Sequence, residues 1–219
     1  MRSIFRISWL ERIPLRTPYP AVVARVGAIL GHLPRGTELV IDYSGVGRGI
    51  FDMFQFAGVT PIAVTMTGGD SVNWHGSNTV AVPKSTLVSR LVALVHSGEL
   101  VVHKSLTDWP VLRRELLNFA TEVTPSGQIT WNAAGGAHDD LVIATALAAW
   151  RLEGKDMPSF GIFELYRRQA FEIAGLTTPP RAVVGVDIGQ SRDPTAICVM
   201  YRIDQPTRDE ANDQDFVRT

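Results

Sequence analysis

The chain has 219 residues, enough for one domain of ordinary size with a true core, and its 45% hydrophobic and 20% charged residues are those of a globular protein. A net charge of −1 gives no global basic signal, so any contact with nucleic acid has to use a local patch. A single cysteine, Cys198, excludes an internal disulfide framework and a Cys-rich zinc site, while the lack of a long apolar run or a signal-peptide core predicts a cytoplasmic protein with no membrane partner.

From the N-terminus, Ile4 to Arg12 sets Phe5, Ile7 and Trp9 against Arg6 and Ser8, an alternation that predicts a half-exposed antiparallel strand. Pro18 and Pro20 open a helix to about Leu33, which Pro34-Arg35-Gly36 stops. Glu38 to Asp42 reads as a strand ending in a carboxylate, followed by a glycine-rich turn and a short helix from about Gly49 to Phe56. Pro61 to Met66 is the next strand. Such strand–helix–strand units predict a parallel sheet covered by helices. Thr67 to Val80 reads as a long polar loop. A helix from Pro83 to about Ser97, a short strand at Leu100 to His103 and a helix from about Trp109 to Glu122 follow. After a brief strand at Ile129 to Trp131, Leu141 to Leu152 is apolar nearly all round and therefore predicts a buried helix. Residues 153–181 read as a connector with one amphipathic helix around Phe163, Tyr166, Ala170 and Ile173. Ala182 to Asp187 and Thr195 to Tyr201 are strands apolar enough to be buried on both faces, and residues 204–219 read as a polar, frayed tail.

Three acidic positions meet buried structure at element ends: Asp187, Asp42 and the pair Asp139-Asp140. In a parallel sheet, sites collect at the C-terminal ends of strands. Three converging carboxylates cannot all stay ionised without a cation, and hard oxygen donors favour Mg²⁺ or Mn²⁺. Two such ions about 4 Å apart would suit an in-line phosphodiester displacement. Taken singly, each acid is better read as a turn former or a helix cap; taken together on this sheet, they are better read as a metal site.

The stretches Glu38 to Gly47, His138 to Ala148 and Gly185 to Asp193 together resemble the nuclease domain of phage terminase large subunits, which are RNase H-like, RuvC-like enzymes. The likeness covers about residues 4–152 and 182–203. It implies an α/β fold, an RNase H-like mixed five-stranded sheet flanked by helices, and a metal-dependent endonuclease that hydrolyses double-stranded DNA during packaging with two Mg²⁺ or Mn²⁺ ions. By motif, Asp187 resembles the first-strand acid, Asp42 the second, and Asp139 or Asp140 the third. The implied domain has its main part in residues 1–152 and is completed by the strand pair 182–203.

This chain departs from the family pattern in two ways. The strand pair that opens the family's fold comes last, so the chain reads as circularly permuted, with a mis-joined reading frame as the competing explanation. No Gly-x-x-x-x-Gly-Lys-Ser/Thr motif is present, so the resemblance implies a motor on another chain, with a packaging ATPase, a portal and a small terminase subunit as candidate partners. The alternative functions are a catalytically inactive RNase H-like remnant that binds DNA or docks a partner and, ranked lower, an actin-like or sugar-kinase ATPase that takes Gly185 to Gly189 as its phosphate turn. Lys84 and the pairs Arg113-Arg114 and Arg167-Arg168 are candidate phosphate contacts, although such residues are more often solvated on exposed helix faces. His138 is a candidate proton-transfer group beside the metals, although a lone histidine is more often structural or solvent-facing, and Asp70 reads as a turn residue.

Overall fold

A computed structural model describes residues 3–45, 47–123, 129–133, 138–154, 180–189, 193–204 and 216–218. Among the described residues, eleven strands and five helices follow in chain order: β1 (Ser3–Ile13), α1 (Tyr19–Gly31), β2 (Glu38–Asp42), α2 (Gly47–Phe56), β3 (Ile62–Thr67), β4 (Asn73–Trp74), β5 (Thr79–Pro83), α3 (Lys84–His96), β6 (Leu100–His103), α4 (Trp109–Asn118), β7 (Phe119–Val123), β8 (Ile129–Ala133), α5 (Asp140–Glu153), β9 (Arg181–Asp187), β10 (Thr195–Asp204) and β11 (Phe216–Arg218). Nine of the strands form one mixed sheet in the order β11-β6-β1-β10-β9-β2-β3-β5-β4, and β7 and β8 pair separately.

The expected five strands form the middle of this sheet, β1-β10-β9-β2-β3. β10 is antiparallel to both β1 and β9, whereas β2 is parallel to β9 and β3. The late strands therefore sit at the centre. Ser3 pairs with Asp204 in the ladder, and its hydroxyl donates to the Asp204 carboxylate at 2.7 Å, so the start of β1 is fastened to the end of β10.

The continuous apolar runs are explained by burial on both faces. Along β2, Leu39 and Ile41 pack with α1 and α2, while Val40 packs with α5. Along β10, Ile197 and Val199 face the first pair of helices, and Ala196, Cys198 and Met200 face α3, α4 and α5. α5 is buried along nearly its whole length, which is why its sequence has no polar stripe.

Several expectations are corrected. Trp9 does not join the inward set: a bulge between Ile7 and Trp9 shifts the register, turning Leu10 inward and leaving Trp9 40% exposed. β1 is also flanked on both sides, because β6 joins it in parallel. The polar stretch after β3 is a loop only in part, since the alternating Thr79-Val80-Ala81-Val82 forms β5 alongside β3 and β4 folds back on it. The helix expected to reach Glu122 stops at Asn118, where Phe119, Thr121 and Val123 bring β-branched and aromatic residues into a hairpin with β8. The tail is not wholly frayed, because Phe216–Arg218 pairs with β6. The connector helix and the Arg167-Arg168 pair lie outside the described residues.

Candidate active site

Side chains alternate across a strand, so residues two apart share a face. Val183, Gly185 and Asp187 thus lie on the α5 side of β9, and Val40 and Asp42 lie on the α5 side of β2. In the parallel ladder Val40 is opposite Gly185 and Ile41 is opposite Val186, so Asp42 and Asp187 stand one step further along, at adjoining C-terminal ends. α5 crosses this face closely because Gly185 has no side chain: a methyl group there would overlap the Ala144 carbonyl oxygen. Four residues back along α5 from Ala144 is Asp140, which starts the helix. About 6 Å of helix and about 6.6 Å of strand are then matched, which carries the helix N-terminus to the level of the two strand ends.

The electrostatics have the same geometry. Burial and the negative charges of Asp42, Asp140 and Asp139, in that order, hold the Asp187 carboxyl well above its ordinary range, and Lys84 acts against them. Asp42 is buried and is likewise raised by burial, opposed by Ser44 and Lys84. Asp140 is buried and raised by the same cause, opposed by Arg12. Asp42, Asp140 and Asp139 therefore all lie within electrostatic reach of Asp187.

Asp42, Asp139 and Asp140 also have structural partners. The Ser44 backbone N–H donates to Asp42 Oδ1 at 2.8 Å, so the turn-forming reading of Asp42 is met in part. Gly47 allows the backbone after this turn to pass against the Asp42 carbonyl, where a methyl group would overlap it. Lys84 Nζ donates to Asp139 Oδ2 at 2.9 Å, and Arg12 Nη2 donates to Asp140 Oδ2 at 2.5 Å. The capping reading of the pair is not met. Asp139 occupies the N-cap position of α5 but makes no side-chain cap hydrogen bond.

Four further residues at the site were not singled out for it, or only weakly. His138 Nδ1 lies 3.3 Å from Asp193 Oδ1 and 3.8 Å from Asp140 Oδ2. Among the described residues, His138, Asp140 and Asp193 are the set of three groups whose ligand atoms all lie within 4.8 Å of one another, and Asp42 and Asp187 stand outside it. Asp193 enters the sequence reading only as the last residue of the Gly185 to Asp193 stretch, with no role of its own. Arg12 reads only as a strand residue, and Glu115, buried on α4, has no local pattern that announces it. Glu115 is pushed up to about 7, by burial first, with Arg12 and the α5 backbone acting against it.

A donor set of carboxylate oxygens with one imidazole fits hard divalent cations. Of the basic candidates, Lys84 is at the cluster, whereas Arg113 and Arg114 are exposed on α4. A groove of about 240 Å³ is lined by residues that include Ile13, Arg16, Gly189 and Asp193. A cavity of about 770 Å³ opens at the other end of the sheet, among residues such as Pro34, Glu38, Val59 and Arg151, and contains none of the four acids. No helix among the described residues is long and apolar enough to cross a membrane.

No family model matches the chain. The chain is 32% identical over 163 residues to a terminase large subunit of Thermus phage G20c, an alignment covering 72% of this chain and 29% of that protein. It is 33% identical over 147 residues to the terminase large subunit of Thermus virus P23-45, covering 65% and 26%. The chain therefore spans less than a third of the length of either relative. Among solved structures it is similar to the large terminase nuclease of phage G20c with bound cobalt, at 22% identity and a TM-score of 0.45, over 68% of this chain and 81% of that one.

Proposed function

We infer that this chain is a nuclease of the phage terminase large-subunit type, similar in sequence to the terminase large subunits of two Thermus phages. Its activity is hydrolysis of phosphodiester bonds in double-stranded DNA, with divalent cations as cofactor, Mg²⁺ or Mn²⁺, bound as a pair. One observation carries this reading: Asp42 and Asp187 end neighbouring parallel strands on the face that α5 covers, and α5 begins with Asp140 at the same level.

Asp42, Asp187 and Asp140 would hold the ions, with Asp139 beside them, tied to Lys84. Bound ions supply charge stabilisation for the attacking and leaving oxygens and lower the pKa of a bound water. The chain's own contribution is preorganisation. Two acids are fixed by strand ends, the third by a buried helix, and Arg12 holds one Asp140 oxygen so that the other has a set direction. Burial makes each of these carboxyls hold its proton more tightly, so cation binding has to displace protons and strengthens as pH rises. His138, with its side chain 47% exposed beside Asp140 and Asp193, is placed to exchange a proton with solvent at the edge of the cluster. Lys and Arg side chains would position the duplex through its backbone with low sequence selectivity. The motor, portal and small subunit of a packaging complex are the partners this reading implies.

The test is plasmid cleavage by the purified chain with Mg²⁺, Mn²⁺ or EDTA, alongside Asp187→Ala. Metal-dependent cutting is expected for the wild type and none for the variant. A folded wild type that cuts with neither metal would leave a non-catalytic RNase H-like module as the better account.

A further inference from the structure

A helix begins with four backbone N–H groups that have no partner within the helix, and a side chain at the N-cap usually takes one of them. α5 starts at the candidate metal site, and its N-cap residue, Asp139, does not do this, because its carboxylate turns to Lys84. The next acid, Asp140, is held by Arg12. The cap comes instead from 26 residues upstream: Glu115 Oε2 accepts from the Leu141 N–H at 3.0 Å and from the Val142 N–H at 3.1 Å. Glu115 is only 6% exposed, and its other oxygen lies 3.7 Å from Arg12 Nη2. The Arg12 backbone N–H in turn donates to Asp108, just before α4, at 2.8 Å, so β1, α4 and the start of α5 are tied at one point.

We propose that Glu115 is a positioning residue that caps α5 from α4, so that Asp139 stays paired with Lys84 and Asp140 is presented to divalent cations. The proposal rests on the nuclease reading for its purpose, while the cap itself stands on the hydrogen bonds. The two N–H groups and the positive end of the helix offset part of the cost of burying this carboxylate, and placing it on a neighbouring helix fixes where α5 begins relative to β1. A local cap from Asp139 would satisfy the same N–H groups, but it would aim that carboxylate back into the helix.

Both cap bonds end on a single oxygen, which gives a sharp test. Glu115→Gln keeps one carbonyl oxygen able to accept both N–H groups, whereas Glu115→Ala keeps none. Three readouts are needed: Mn²⁺ affinity by calorimetry without DNA, kcat and KM for plasmid cleavage, and amide hydrogen exchange at Leu141 and Val142. Glu115→Ala should weaken Mn²⁺ binding by about tenfold or more, as loss of a group that orients metal ligands commonly does. It should lower kcat with KM for DNA unchanged, and expose both amides to exchange. Glu115→Gln should restore most of each.

Three outcomes would overturn the proposal: a folded Glu115→Ala protein with wild-type Mn²⁺ affinity, protected Leu141 and Val142 amides in that variant, or a Gln variant as impaired as the Ala variant. The last would assign Glu115's role to its charge beside Arg12. A wild type that neither binds Mn²⁺ nor cuts would overturn the nuclease reading and the purpose given to the cap, and the exchange experiment would then still decide the cap.

Discussion

At Asp187, burial and three neighbouring carboxylates act in one direction, and Asp42 and Asp140 are raised by burial as well. A group whose folded pKa lies above its unfolded value favours the folded state at low pH, and that contribution is lost as pH rises through the folded value. For these three the window opens above the ordinary aspartate value of 3.8 and extends upward. For Glu115 it runs from 4.5 to about 7, on the order of 3 kcal/mol if fully expressed. Without a bound cation these carboxyls therefore work against folding at neutral pH. In EDTA at pH 8, Asp187→Asn should melt above wild type in a thermal scan, and the gap should close as pH falls toward 4. Added Mn²⁺ should raise the melting temperature of wild type but not of the variant. A variant no more stable than wild type at pH 8 would show that Asp187 is not strained by its neighbours.

α5 is the element that brings Asp140 to Asp187, and it is fixed at both ends. At its start are Glu115 and Arg12, and toward its end the buried Arg151 donates to Glu38 at the beginning of β2, with Arg181 3.6 Å from the same carboxylate. Between these ends, Gly185 lets the helix backbone lie directly on β9. Gly185→Ala would push α5 outward and move Asp140 away from Asp187. Overpacking of this kind destabilises by about 1–3 kcal/mol, and the displacement should reduce cleavage by more than the loss of folded protein explains. Urea melts paired with cleavage of plasmid at saturating Mn²⁺ separate the two effects. The apolar character of α5 and the glycine in β9 are both visible in the sequence. That the two meet is not, because Ala144 and Gly185 lie far apart along the chain.

For the whole molecule, the consequence of the strand order is that a late segment carries the middle of the sheet. β9 and β10 separate β1 from β2, and without them each would expose a long unpaired edge and lose the buried faces of Val184, Val186, Ile197 and Val199. A chain ending at residue 180 should show no cooperative thermal transition by circular dichroism, whereas one ending at residue 204 should melt cooperatively. Cooperative melting of the shorter chain would mean that residues 1–154 hold a core without the strand pair.

The sequence by itself determines the elements whose signal is local. Continuous β-branched runs mark strands buried on both faces, the unbroken apolar helix marks α5, and a carboxylate at the end of such a run marks Asp42 and Asp187. Motif likeness adds the expectation that these acids belong together, and the relatives found by sequence carry the same family name. Only the tertiary structure decides what depends on register and on partners distant in sequence. The shared face of Asp42 and Asp187 follows from pairing Val40 with Gly185. The outward turn of Trp9 follows from a bulge, and the freedom of Asp139 and Asp140 from capping follows from Glu115 on another helix. The reason is physical. Periodicity and propensity act over a few residues, whereas a buried hydrogen bond or a ladder register is chosen by the burial of the whole core at once.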